Sequence, residues 1–373
     1  METRLARYLH AKGKQLGLPI NGTFELTPRC NFNCKMCYVH LTEAEQKQHG
    51  KELTAEQWIQ IGEEAKQEGV VFLLLTGGEP ALRPDFPEIF SKLKKKGFVI
   101  TVNSNGLLLE GELQRTLIAN PPSRVNISLY GISNETYERQ CGLPVYDRIV
   151  RNIADLRSAG IEVKVSMSVT PDNAQDLQAV YDKAKQLGAH IQSTSYMFPP
   201  IRLHPEQCGQ NFRLEPEAAG SLMADHEAAN STAEQLQRRL DALEKNMVLA
   251  DDFEVDDCTE VEGEGVHCRG GVTTFWIDWD GKMTPCGQMV EPAFDVLELG
   301  VAEAWRRTRE ATAAIRLPAE CAACSLKHIC HPCAAMCYCE TGSFSKKPDY
   351  VCKMRHAYFA RMLELCREKL GGD

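Results

Sequence analysis

The chain has 373 residues, 43% of them hydrophobic and 25% charged, with a net charge of −9; this is the profile of an ordinary globular protein long enough for two or three domains. The longest apolar run, residues 70–75, is far too short to span a membrane, and the negative balance argues against a nucleic-acid partner, which asks for a basic footprint. The first twenty residues lack both an unbroken apolar segment and a cleavage site, so no signal peptide is read and a cytoplasmic location is expected.

After an N-terminal helical extension (1–21), short β-branched runs alternate with helical periodicity. Strands are expected over 22–27, 70–76, 98–104, 124–130, 161–169 and 190–196, and helices over 54–68, 85–96, 112–119, 146–159 and 173–187. Lysines 92, 94, 95 and 96 fall at the end of the second of these helices, where they suit the helix dipole. Successive βα units make a parallel sheet with right-handed crossovers, either a partial barrel or a doubly wound sheet. Near-continuous apolar strands fit burial on both faces. The pattern breaks near residue 200. A linker (201–257) follows, with a proline-rich loop and a polar helix over 215–247. Eleven of the sixteen cysteines then crowd into 258–373, which marks a second domain.

Cysteines this clustered, in a chain without an export signal, read as metal ligands rather than disulfides. Cys30-x3-Cys34-x2-Cys37 directly follows the first strand, at the carboxyl end of the sheet where βα folds gather their ligands. Zinc fingers rarely use this spacing, and no fourth cysteine lies close, although His40 and His49 are within reach in sequence. Iron–sulfur clusters are held by such tight thiolate groups, and three thiolates leave one iron open to an outside ligand. The second motif, Gly77-Gly78-Glu79-Pro80, ends the second strand; its glycines let backbone approach a ligand, and Glu79 can accept from an ammonium group.

Together the cysteine triplet and the "GGEP" turn resemble the radical S-adenosylmethionine (SAM) enzymes over residues 20–200. The resemblance implies a partial (β/α)6 TIM-like barrel. It also implies a [4Fe-4S] cluster on Cys30, Cys34 and Cys37 whose open iron chelates SAM, with "GGEP" at the SAM amino group. Reductive cleavage then yields a 5′-deoxyadenosyl radical that abstracts hydrogen from substrate. By the same likeness Ser104 and Asn105 lie near the SAM ribose, Ser128 faces its carboxylate or ribose, and Arg139 falls one residue short of a carboxylate-binding arginine. Met36 takes a position where an aromatic often packs on adenine, and Tyr130 stands where the family has an acid.

The C-terminal cysteines resemble the SPASM extension over 258–360, which binds two auxiliary [4Fe-4S] clusters. The likeness assigns Cys258, Cys268, Cys286 and Cys333 to the first, with Cys337 as the alternative to Cys333. It assigns Cys321, Cys324, Cys330 and Cys352 to the second. On spacing alone a zinc site competes, since a Cys-x2-Cys knuckle is ordinary for zinc. Cys141, Cys208, Cys339, Cys366 and the unused member of the Cys333/Cys337 pair are left as incidental thiols.

The leading expectation is therefore a maturase that oxidatively modifies a peptide or protein, fed by an external one-electron reductant such as flavodoxin or ferredoxin. An anaerobic sulfatase maturase fits the size, but its resemblance calls for an aspartate at Gly287. A small-molecule oxidation, such as one on a tetrapyrrole side chain, is the alternative of another class, and a non-catalytic iron–sulfur scaffold is the plainest. No general base stands out among Tyr130, Tyr196, His204 and His267. The acidic run 251–264 reads as a solvated linker, although it could attract a basic peptide.

Overall fold

The structure, a computed structural model, describes residues 4–245, 265–327, 329–330 and 333–371. Helix α1 (Arg4–Leu16) leads into β1 (Asn21–Glu25), α2 (Glu43–His49), α3 (Ala55–Gln67) and β2 (Phe72–Thr76). Next come α4 (Phe86–Lys95), β3 (Val99–Ser104), α5 (Gly111–Ala119), β4 (Arg124–Ser128), α6 (Asn134–Cys141), α7 (Tyr146–Ser158), β5 (Val163–Ser168), α8 (Leu177–Gln186) and β6 (His190–Thr194). The remaining elements are α9 (Pro216–Asn230), α10 (Ala233–Glu244), β7 (Thr274–Ile277), β8 (Lys282–Thr284), β9 (Phe294–Asp295), α11 (Val296–Ala314), α12 (Ala319–Ala322), α13 (Ala334–Thr341) and α14 (Asp349–Leu370). No helix among the described residues is long and apolar enough to cross a membrane.

Strands β1 to β6 are parallel neighbours in chain order, as the alternating pattern implies, and form the partial barrel. Burial differs from the expectation of two apolar faces. In β3, β4 and β5 it alternates with period two: Ile100, Val102, Val125, Ile127, Val163 and Val165 pack into the core with helix residues such as Ile89, Phe90, Ile149 and Leu156. The opposite, concave face presents half-buried Asn103, Asn126, Ser128, Ser166 and Ser168. One face meets the helices; the other is kept polar for a ligand.

The sheet does not stop at six strands. Beyond β1 it continues through β7, β8 and β9, with β7 parallel to β1 (Asn21 opposite Thr274, Phe24 opposite Ile277) and the last two antiparallel. Part of the 258–373 segment thus shares the barrel's sheet. Helix α11 packs on α3, and Trp305 Nε1 donates to Gly17 O at 2.9 Å. The linker helices α9 and α10 pack along α14. The single polar helix expected over 215–247 is broken at Ser231 because Thr232 starts a new one with a capping box to Gln235; its expected end lies outside the described residues. Helix α2 carries the same signal, Thr42 with Glu45.

Candidate active site

Cys30, Cys34 and Cys37 lie on the loop after β1, at the carboxyl ends of the parallel strands, and the loop is held from two sides. On one side the N–H groups of Gly78 and Glu79 donate to Thr27 O and Arg29 O at 2.7 and 2.8 Å. A Cβ at Gly78 would lie 2.4 Å from Arg29 O, and one at Gly77 2.5 Å from Thr27 O, so both glycines are required by contact between the loops. On the other side, Asn33 and Lys35 donate their N–H groups to Cys141 O and Gln140 O, at 2.9 and 3.2 Å, at the end of α6. Arg29, one residue before the first cysteine, forks onto Glu52 at 2.7 and 2.8 Å.

The three thiols open onto a cavity of about 510 Å³ whose wall also includes Met36, Gly77, Gly78, Ser104, Asn105 and Ser128. Tyr130 and Tyr196 line it too, whereas His204 and His267 do not. His49 is exposed on α2, and burial lowers the pKa of half-buried His40. Arg139 is exposed, bonded to Thr136 Oγ1 and Asp172 O, and stands apart from the cavity. Its neighbour Gln140 faces inward instead, fully buried, with Nε2 3.0 Å from Met36 Sδ. No local signal marks Gln140: it lies in a polar stretch where no helix is expected, and only the fold buries it.

Glu79 is fully buried behind this wall. Its carboxylate accepts from Ser104 Oγ (3.0 Å), Asn105 N (2.6 Å) and Ala81 N (3.0 Å), tying the end of β2 to the end of β3. Burial raises its pKa to about 7 against the pull of these donors. The backbone of Gly77 and Gly78 meets the cavity; Glu79 holds it there.

The donor set suits an iron–sulfur group. Backbone N–H groups point at the sulfurs, from Phe32 to Cys30 at 3.4 Å and from His40 to Cys37 at 3.3 Å, and Asn105 Nδ2 reaches Cys30 Sγ at 3.7 Å. Hydrogen bonds to sulfur are a usual means of tuning such clusters. Burial pushes the thiols up, Cys30 to about 12 and Cys37 to about 11, and a hydrogen bond with Cys141 followed by burial raises Cys34. A metal must therefore displace protons to bind.

The C-terminal cysteines form two neighbourhoods joined through Cys337. Cys321 and Cys330 each sense the charge of Cys324 and Cys352. Cys286 senses Cys333, while buried Cys337 faces Cys333, Cys321 and Cys330. Backbone N–H groups approach Cys286 from Gln288 (3.5 Å) and Cys324 from Leu326 (3.4 Å). Cys268 is exposed, with its Sγ beside Gly270, and Cys258 lies outside the described residues. No disulfide joins the described cysteines, and among described residues no three His, Cys, Asp or Glu side chains close around one ion.

Two buried ionic networks fasten this region to the barrel. Arg202 forks onto Glu25 at the end of β1 (2.6 and 3.0 Å) and donates to Gly287 O at 2.9 Å; Trp276 Nε1 donates to the same carboxylate. Burial raises the pKa of Asp278, also beside Arg202. Arg213 and Tyr196 both donate to Glu340 of α13. Such pairs add geometric specificity more than net stability. Gly287 itself lies flat under Trp276: a Cβ there would come within 2.5 Å of the indole.

Comparison with known proteins agrees with this geometry. The chain is 26% identical over 346 residues to an AdoMet-dependent heme synthase of Methanosarcina barkeri, covering 88% of this chain and 94% of that one. Its fold is similar to Streptococcus suis SuiB bound to the precursor peptide SuiA (TM-score 0.68, 17% identity, 94% of this chain and 80% of that one). It is equally similar to anSMEcpe with bound AdoMet (TM-score 0.69, 16% identity, 95% and 100%). The match of residues 24–184 to the radical SAM superfamily spans the cysteine loop and every wall of the cavity that β2 to β5 supply, and with it come a [4Fe-4S] cluster and SAM: the chain carries a radical SAM domain and is a radical SAM enzyme.

Proposed function

We propose that the enzyme acts on a peptide or protein, abstracting a hydrogen atom as the first step of an oxidative modification. The carrying observation is the cavity. At about 510 Å³ it has the size of a site for one drug-sized ligand. SAM is itself such a ligand, and a side chain or loop tip suits the space beside it. Lys164 is the one cation among the described lining residues, whereas a tetrapyrrole brings several carboxylates. The fold likeness to SuiB, whose structure holds a precursor peptide, points the same way.

In this reading Cys30, Cys34 and Cys37 hold the cluster, and Gly77, Gly78, Ser104, Asn105 and Ser128 orient SAM with Met36 against its base. Glu79 and Pro80 keep that wall in place. Bound cluster and SAM together supply the 5′-deoxyadenosyl radical. Cys268, Cys286 and Cys333, with Cys258, hold the first auxiliary cluster; Cys321, Cys324, Cys330 and Cys352 hold the second. A flavodoxin or ferredoxin supplies the electron in the cytoplasm.

Anaerobic incubation of the reconstituted enzyme with SAM, dithionite and small peptides encoded beside it tests this. The expected product is a peptide lighter by multiples of two hydrogens. A tetrapyrrole converted while every peptide stays unchanged would overturn the reading. That second reading, oxidation of a tetrapyrrole side chain, draws on the likeness to the heme synthase over 94% of that relative's length. Formylglycine formation is disfavoured by Gly287, whose position under Trp276 leaves no room for the acid that chemistry resembles.

A further inference from the structure

We infer that Gln140 is a positioning residue: it fixes the thioether of Met36 and thereby preorganises the cavity wall on which SAM rests. The inference depends on the reading, given above, that SAM binds in this cavity. Gln140 is fully buried, on the last turn of α6. Its Nε2 lies 3.0 Å from Met36 Sδ, and its Oε1 accepts from Thr170 Oγ1 at 2.8 Å. Thr170 is also fully buried, and its N–H donates to Asn173 Oδ1 at 2.7 Å. Asn173 in turn donates to Tyr130 O, just past β4, and to Ser168 O, the last residue of β5, at 2.8 and 2.9 Å. A continuous chain of bonds therefore runs from the ends of two barrel strands to one sulfur atom.

Burying a primary amide is unfavourable unless its polar atoms are paired. Sulfur is a weak acceptor, so the arrangement makes sense by what it does to methionine. Met36 has three rotatable side-chain bonds and would sample several shapes unaided. Held at its sulfur, it offers one. Because Lys35 N–H donates to Gln140 O as well, the same residue restrains both the backbone and the side chain between Cys34 and Cys37. Preorganisation of this kind acts on affinity and leaves the chemical step alone.

The test uses the reconstituted holoenzyme, with SAM affinity measured by equilibrium dialysis and 5′-deoxyadenosine release giving KM and kcat. Gln140→Leu should weaken SAM binding and raise its KM by about three- to tenfold with kcat unchanged. In a Met36→Leu background, where no sulfur remains to hold, the same change should cost less than about twofold. Iron content and far-UV circular dichroism should match the unsubstituted protein. Should Gln140→Leu fail to fold, Thr170→Val, which removes the hydroxyl behind the amide, should raise KM in the same Met36-dependent way. Equal effects in both backgrounds, or a fall in kcat alone, would overturn this inference by itself. An unsubstituted holoenzyme that binds no SAM would overturn the proposed function along with it.

Discussion

Cys30, Cys34 and Cys37 hang on a loop that takes its shape from distant neighbours, whereas Cys321, Cys324 and Cys330 sit in turns that make their own hydrogen bonds. The first loop is tied to Gly78, Glu79, Gln140 and Cys141. In the second region Cys324 donates to Cys321 O, Lys327 to Cys324 O and Cys330 to Leu326 O, all within four residues. In the proposed arrangement these local turns would supply three thiols, with Cys352 of α14 as the fourth. The barrel loop offers three and leaves room in front of them. If the proposed auxiliary cluster is held there, a locally built site of that kind suits electron storage, whereas an open site built by the surrounding barrel suits binding a ligand.

Substitutions can break or sharpen this contrast. The largest effect belongs to Cys34→Ser, which should abolish 5′-deoxyadenosine release and remove roughly four of about twelve irons per chain. Cys330→Ser should cost a similar share of iron by colorimetric assay yet leave SAM cleavage within about threefold; loss of cleavage there would mean the regions are not separable. Glu79→Gln probes the barrel side through pH. The raised pKa means that folded protein holds this proton where unfolded chain has lost it. Glu79's contribution to apo-protein stability is therefore complete below about 4.5 and lost as pH rises through about 7. The stability difference between wild type and Glu79→Gln should change by at most roughly 3 kcal/mol across that window and stay flat above it, as read by denaturant melts at a series of pH values. Gly287→Asp should destabilise by about 1–3 kcal/mol through collision with Trp276, without formylglycine appearing in a test peptide by mass spectrometry. The smallest effect is expected from Arg139→Gln, whose exposed side chain should change the KM for SAM by less than about twofold.

Much of this molecule is legible locally. Strands β2 to β5 carry Val, Ile or Leu at alternate or successive positions, and all six barrel strands are expected within two residues of their observed starts. The cysteine spacings and the double glycine also announce themselves. What escapes is whatever depends on contact across the chain. Strand β7 is only "TFWI" in a cysteine-rich stretch, and nothing in those four residues says that they pair with β1. The partners of Glu79 escape too: its carboxylate accepts from Ser104 and Asn105, 25 and 26 residues on. Arg139 and Gln140 are adjacent, and only the rotation of α6 decides that the amide, not the guanidinium, turns inward to Met36.

The pairing of β1 with β7 also bears on how the protein is made. Asn21 leaves the ribosome about 250 residues before Thr274, its partner in the sheet. At roughly 5–20 residues per second, one edge of β1 waits on the order of ten seconds or more with its backbone groups unpaired. Exposed strand edges recruit other strands, and contacts this distant in sequence form late. Expression yield should therefore depend on chaperone capacity and translation speed, and a chain cut after β6 would leave that edge open permanently.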